Sequence, residues 1–329
     1  MHTFKSFEKE LSTVNDDNFE NIALSLFRLQ AKENKVYQKY LTYLGVNVEG
    51  ITQLEQIPFL PISFFKEQII KCGQWNEESI FYSSSTTGTT PSRHYVRSLD
   101  SYLQNTKRIF NSFYGAIDEY HFLALLPSYL EREGSSLVAM ANYFIQQSKS
   151  PHSSFYLNNK TELVNTLKKL DELDRKVILL GVSFALLDLA EEYALDLSHC
   201  IVMETGGMKG RREEITRDEL HRYLASRWNT SSIHSEYGMT ELFSQAYAQE
   251  RGYFKPSAGM KVMIRSINDP FEGLAVGKTG GINVIDLSNI YTCAFVETQD
   301  LGRIRQDGSF EVLGRIDNSD IRGCNLLVG

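Results

Sequence analysis

At 329 residues the chain is too long for one small core and suits one large α/β unit or two to three subdomains. With 42% apolar and 23% charged residues it has the composition of an ordinary globular protein. Its net charge of −7 excludes a general affinity for nucleic acid or anionic membrane, so any anion site must be local.

Four widely spaced cysteines (Cys72, Cys200, Cys293 and Cys324) form no CxxC pair. That argues against zinc and a disulfide framework and suits reduced thiols in the cytosol. The N-terminal MHTFKSFEKELST lacks an apolar signal region, and no apolar run approaches a membrane span. The expectation is a cytoplasmic protein without a membrane span.

Residues 16–45 carry a helical pattern, with Phe19, Ile22, Ala23, Leu26 and Leu29 recurring at a period of about 3.6 behind caps at Asp16 to Asn18. A second run places Val36, Tyr40, Leu41 and Leu44 before Gly45. IPFLPISFF (57–65), punctuated by Pro58 and Pro61, reads as an extended apolar connector. From about residue 95 helix and strand patterns alternate. Helices are expected over 98–114, 134–147, 159–174 and 184–194. Strands are expected at HFLALLP (121–127), KVILLG (176–181) and CIVMETGG (200–207). A capping box from Thr216 to Glu219 opens one more helix, through Trp228. This alternation predicts a mostly parallel sheet flanked by helices. After about residue 250, short strands with glycine turns (KVMIRSI, GGINVIDL, AFVE, FEVLG) predict a mainly β subdomain. The expected divisions are an N-terminal helical and extended segment over 1–75, an α/β core over 76–250 and the β subdomain over 251–329.

The stretch FYSSSTTGTTPSRHY (81–95) concentrates hydroxyls: seven of the eight residues from Ser83 to Thr90 carry one, and the eighth is Gly88. It reads either as a flexible linker or as an anion cradle, where hydroxyls and backbone N–H groups ring a phosphate and glycine permits close approach. Two other motifs mislead. GLAVGKTGG (273–281) imitates a Walker A loop, but Glu272 stands where that motif requires glycine, and hairpin strands surround it. GVSFA (181–185) offers Ser183 as an acyl-hydrolase nucleophile, with His199, His221 or His234 as base, or simply as a helix cap. The seven histidines show no metal-ligand spacing.

Four further segments carry chemistry. TGGMKGRR (205–212) sets a glycine pair at a strand end, where a flat base can approach the backbone. In HSEYGMTE (234–241), Tyr237 suits stacking on a base, and Glu241 suits Mg²⁺, which takes one or two carboxylates plus phosphate oxygens. ETQDLGR (297–303) places Asp300 at a strand end, fit to accept ribose hydroxyl hydrogens, and LGRIDNSDIRGC (313–324) carries Arg315 just before Asp317. Each also has a plain structural alternative as a turn residue, a surface ion pair or a solvated charge.

Their order, a hydroxyl and glycine loop, GG, YGMTE, an Asp-bearing strand and GR-x-D, resembles the adenylate-forming (ANL) superfamily over roughly residues 80–324. In detail IPFLPISFFKEQII, LPSYLEREGSSLVAM and GRIDNSDIRGCNLLV are similar to the LuxE-like acyl-protein synthetases, the fatty-acid–protein ligases. GVSFALL is then the counterpart of the superfamily's strand–GVP–helix segment. The resemblance implies an α/β fold of the ANL N-terminal-domain type, mostly parallel helix-flanked sheets plus a small β subdomain, with 76–250 as the nucleotide- and acyl-binding core. It implies an enzyme that uses ATP and Mg²⁺ to convert a fatty or similar carboxylic acid to an acyl-adenylate and passes the acyl group to a protein cysteine. CoA as acceptor, a Ser183 hydrolase or transferase, and a degenerate nucleotide-binding protein stand as alternatives.

Carried onto this sequence, the family's roles give Ser84, Ser85, Thr86, Thr87, Gly88 and Thr89 the β- and γ-phosphates of ATP. Gly206 and Gly207 line the adenine, with Tyr237 against its face. Thr240 contacts the α-phosphate and the substrate carboxylate, Glu241 holds Mg²⁺, and Asp300 takes the ribose hydroxyls beside Arg315. Arg93 stands where the superfamily loop carries a lysine, and it keeps the charge. The chain ends at Gly329, soon after Asp317, whereas most members continue into a small domain with a catalytic lysine; Lys209, Lys255, Lys261 or Lys278 are the candidate substitutes. Cys324, near Arg322, is the expected acyl acceptor. The implied partner is an acyl-accepting reductase or carrier protein.

Overall fold

A computed structural model of the chain describes residues 3–84, 90–127, 134–157, 159–171, 175–207, 212 and 215–316. The chain divides into one unit of residues 1–74 with 258–329 and a second of residues 75–257. Both 1–74 and the C-terminal strands, read apart in the sequence, thus fall in the first unit.

Polar caps set the first helices. Thr3, Asn15 and Asn34 accept backbone N–H bonds at the starts of α1 (Phe4–Glu10), α2 (Asp16–Glu33) and α3 (Lys35–Tyr43). Asn34 also divides the helical stretch expected over 16–45, because its backbone is extended (φ −95°, ψ 104°). The proline-punctuated connector holds the short strand β1 (Leu60–Pro61), and α4 (Phe64–Glu67) follows it.

The second unit opens with an antiparallel hairpin of β2 (Ser79–Tyr82) and β3 (Arg93–Val96), in which Tyr82 faces Arg93. The hydroxyl-rich stretch is therefore the connection of a hairpin. Then come α5 (Leu99–Tyr114), β4 (Tyr120–Leu125), α6 (Ser136–Ser148), β5 (Ser154–Tyr156) and α7 (Lys160–Leu170). They are followed by β6 (Lys176–Val182), α8 (Ser183–Glu192), β7 (Cys200–Thr205), α9 (Arg217–Trp228), β8 (Ile233–Tyr237), β9 (Ala246–Ala248) and β10 (Lys255–Pro256). The sheet order is β10-β9-β8-β7-β6-β4-β5. Strands β5, β4, β6, β7 and β8 run parallel, and β9 and β10 close one edge antiparallel. Apolar runs such as Phe122 to Leu125 and Val177 to Leu180 are buried throughout, as expected of strands covered on both faces. Among the described residues no helix is long and apolar enough to cross a membrane.

The first unit resumes with β11 (Met260–Arg265), β12 (Thr279–Asp286), β13 (Phe295–Ile304) and β14 (Phe310–Arg315), an antiparallel series. The Walker-like segment runs into β12 through Gly277 at φ +85°, so it is a strand-entering turn and not a helix-opening loop. Strand β1 joins this sheet in parallel with β13. Side-chain hydrogen bonds tie the same elements together. The buried Gln30 amide of α2 donates to the Asn289 and Ile290 carbonyls at 2.8 and 3.1 Å and accepts the Ala294 N–H at 2.9 Å. Asn34 donates to the Thr292 carbonyl at 2.9 Å.

Gln30→Leu keeps the side chain's size but removes a hydrogen bond from three buried backbone groups, of which the Asn289 carbonyl keeps the Thr292 N–H. It should lower stability by about 3 kcal/mol, read as a shift in the urea midpoint. An unchanged midpoint would show that the turn finds other partners.

Candidate functional site

Within the second unit the carboxyl ends of β7 and β8 are level. Glu204 pairs with Ser235 and Thr205 with Glu236, so Gly206 and the 238–241 loop leave the sheet side by side, the place where open α/β sheets bind ligands. Gly206 turns the chain at φ +73°, a conformation that side chains resist. Gly238 answers a different constraint. A Cβ there would lie 2.4 Å from Glu236 Oε1 and 3.6 Å from Gln245 Cγ, so the buried carboxylate requires glycine beside it.

Two buried carboxylates stand at these strand ends, on opposite faces of the sheet, and both were missed in the sequence. Glu204 accepts from Ser183 Oγ at 3.1 Å and Arg217 Nε at 2.9 Å, with His221 Nε2 at 3.6 Å. Burial opposes its charge, but Arg217 and His221 prevail and hold its carboxyl down at about 2. Glu236 accepts the Thr205 hydroxyl at 2.5 Å. Burial raises its carboxyl to about 7 against that bond, and the Glu204 charge adds to the rise. For Glu204 the available signal was a glutamate at the end of the apolar run CIVM, whereas Glu236 lies in the polar IHSEY and carried no such signal.

Ser183 differs from both sequence readings. The cap position of α8 is Val182, and Ser183 makes no capping bond. Its hydroxyl, 2% exposed, donates to Glu204 and lies 3.4 Å from the Gly206 carbonyl. Its hydrogen-bond partners are thus a carboxylate and a carbonyl, not the imidazole a nucleophile elbow requires.

The neck of the hydroxyl-rich stretch is closed by Ser83, whose hydroxyl accepts the Ser92 N–H at 2.8 Å and whose own N–H donates to the Ser92 carbonyl at 3.1 Å. Ser84 is exposed just beyond it. Ser85, Thr86, Thr87, Gly88 and Thr89 lie outside the described residues, as do Lys209, Asp317 and Cys324. Arg93 opens β3, half-buried. The next residue, His94, is buried, with Nδ1 at 2.7 Å from the Thr240 carbonyl oxygen. Burial, opposed by that bond, pushes the imidazole down to about 4, so it is neutral. Because a carbonyl only accepts, Nδ1 carries the proton. The ring stacks on Phe243 at 4.3 Å. The strand of Arg93 and the loop of Thr240 and Glu241 are thereby joined.

Glu241 is buried. Among the described residues no three His, Cys, Asp or Glu side chains cluster to hold a metal, so Mg²⁺ at Glu241 would rest on one protein carboxylate plus phosphate oxygens, a donor set that suits it. Tyr237 is 7% exposed and packs against Phe254 at 5.7 Å, which leaves little of its ring for stacking on a base.

In the first unit, Asp300 lies within β13 and not at its end, because pairing with β14 continues past it through an irregularity at Leu301 and Gly302. It faces Arg315 in register, with Arg315 Nε 3.8 Å from its Oδ1. Arg315 itself is exposed.

The family model for acyl-protein synthetase, LuxE, matches residues 131–329. Solved structures of adenylate-forming enzymes share the mixed α/β fold. An open conformation of 2-hydroxyisobutyryl-CoA ligase, in complex with 2-HIB-AMP and CoA, is 13% identical with a TM-score of 0.68, covering 92% of this chain and 70% of that one. ATP-bound MatB from Rhodopseudomonas palustris is 16% identical with a TM-score of 0.53, covering 72% of this chain and 47% of that one. O-succinylbenzoate CoA synthetase (MenE) from Bacillus subtilis, with ATP and a magnesium ion, is 16% identical with a TM-score of 0.52, covering 72% and 49%. The match spans about half the length of MatB and MenE. No curated protein sequence matches the chain.

Two outcomes follow from the packing around Glu236. Gly238→Ala should displace the 238–241 loop and lower stability by roughly 1–3 kcal/mol, measured by urea unfolding; wild-type stability would contradict the close approach. The folded protein keeps a proton on Glu236 between the ordinary carboxyl value of 4.5 and about 7. Its contribution is therefore full below the unfolded value and lost as pH rises through the folded one. Glu236→Gln, which stays neutral, should gain on wild type by on the order of 1–3 kcal/mol between about pH 5 and about pH 8. A difference independent of pH would contradict the raised carboxyl.

Proposed function

Because the chain belongs to the acyl-protein synthetase family, LuxE, we propose that it activates a fatty or similar carboxylic acid with ATP and Mg²⁺ and passes the acyl group to a protein thiol. The observation that carries this reading is the 2.7 Å link from His94, next to Arg93, to Thr240, which joins the strand after the hydroxyl-rich stretch to the YGMTE loop.

A carboxylate oxygen attacks the α-phosphorus of ATP, the bond to the β-phosphate bridging oxygen breaks, and pyrophosphate leaves. The thiolate then attacks the acyl carbonyl and AMP departs. Two anions must meet in the first step, so catalysis rests on cancelling charge and holding the reactants in line. Ser84 to Thr89 supply hydroxyls and backbone donors for the β- and γ-phosphates, and Arg93 supplies the positive charge and a bidentate fork. Thr240 positions the acid's carboxylate beside the α-phosphate. Gly206 and Gly207 leave room for adenine, and Tyr237, buried against Phe254, supports that end of the loop without stacking on the base. Mg²⁺ bound at Glu241 would neutralise charge on the phosphates. In the first unit the Asp300 carboxylate offers acceptors of the kind ribose hydroxyls need, with Arg315 beside it.

Cysteine chemistry supports the choice of thiol. Cys72, Cys200 and Cys293 are buried, and burial pushes all three thiols up, Cys200 and Cys293 to about 12. Thiols so weakly ionised are poor nucleophiles. The acceptor role that the family resemblance implies for Cys324 agrees with the burial of the other three thiols. A reductase or carrier protein would receive the acyl group from Cys324.

ATP–pyrophosphate exchange that depends on added carboxylic acid, tested across chain lengths, decides the first step. No exchange with any acid, with ester hydrolysis lost in Ser183→Ala, would overturn the reading. Labelled acyl group should be trapped on wild type and absent from Cys324→Ala; label moving to CoA would reassign the acceptor. Glu241→Gln should raise the Mg²⁺ needed for half-maximal exchange by about tenfold while the folded far-UV spectrum is retained, consistent with loss of one charge-assisted ligand. Unchanged Mg²⁺ dependence would remove Glu241 from the metal role.

A further inference from the structure

His94 sits in an aromatic cluster where a phenyl ring would pack as well. Phe81, its partner across the hairpin, lies 4.8 Å from Tyr102, and Phe243 stacks on the His94 ring itself. Placing an imidazole in such surroundings carries a desolvation cost unless its polar atoms are bonded. Here the protonated nitrogen is aimed at one backbone carbonyl, that of Thr240, 146 residues away in sequence. The loop that receives it is held elsewhere as well. Asn105 Nδ2 of α5 donates to the Phe243 carbonyl at 3.0 Å, and the Leu242 N–H donates to the Met239 carbonyl at 3.1 Å.

We infer that His94 is a positioning residue, which fixes the Thr240 carbonyl to β3 so that Arg93 and the Thr240–Glu241 pair move as one body. This deepens the adenylation reading and rests on it for its catalytic consequence, but the mechanical link stands on geometry alone. The effect on the reaction follows from proximity. A misplacement of about 1 Å between reacting groups costs roughly 10²-fold in rate.

The test compares His94→Phe with His94→Asn. Phenylalanine keeps the ring, the burial and the stack on Phe243 but removes the donor to Thr240. Asparagine places an N–H at nearly the same reach from the backbone as the imidazole Nδ1. In acid-dependent exchange at saturating ATP, Mg²⁺ and acid, His94→Phe should lose roughly 10²-fold in kcat with a smaller change in KM, and His94→Asn should recover most of that loss. Hydrogen–deuterium exchange is run on the same proteins. Amides 238–243 should exchange about tenfold faster in His94→Phe, but not in His94→Asn, with β6 and β7 unchanged in both. If wild type shows no acid-dependent exchange, the adenylation reading fails, and deuterium exchange still decides the link. Wild-type loop protection in His94→Phe, or equal impairment of the two variants, overturns the positioning role.

Discussion

The parallel register of β7 against β8, which pairs Thr205 with Glu236, fixes the arrangement at the candidate site. Because the two strands end level, the turn at Gly206 and the loop from Gly238 to Glu241 emerge together. The same register places one buried glutamate on each strand, and burial resists charge on both. Glu204 has Arg217 and His221 and stays ionised; Glu236 has the neutral Thr205 hydroxyl and holds its proton up to about 7. Partners, not burial, separate the two carboxyls. The close packing of Gly238 on Glu236 carries that buried polar pair into the start of the loop.

Much of the fold was legible because its signals are local. The capping box at Thr216, the starts of α5 and α7 at Ser98 and Asn159, and the apolar runs of β4 and β6 fall where the sequence placed them. The strands that escaped notice, β2, β3, β5, β8, β9 and β10, are two to five residues long, and most mix polar with apolar residues, so they show no clear period. The pairing of β1 with β13 escaped for another reason. It joins segments far apart in the chain, and the Gln30 amide that helps to bind them looks like any polar residue on a helix.

At the site, glycine pairs and the YGMTE run were visible as motifs because backbone geometry demands particular residues there. The network behind them was not. Ser183 reads as a cap or a nucleophile until its carboxylate partner is seen, Glu204 looks like an exception within an apolar strand, and Glu236 is one polar residue among several in IHSEY. His94 follows Arg93 in a segment already conspicuous for its hydroxyls, yet its partner is the Thr240 carbonyl. A side chain that bonds a backbone atom leaves no trace in the identity of the residue it holds.

The chemistry attributed to this chain turns on one bond, between an oxygen of the acid and the α-phosphorus of ATP. Turnover of a carboxylic acid labelled with oxygen-18 in its carboxyl group, followed by mass spectrometry of the products, reports on that bond directly. The account predicts one labelled oxygen in the phosphate of AMP. Label appearing in inorganic phosphate, or in neither nucleotide nor phosphate, would contradict it.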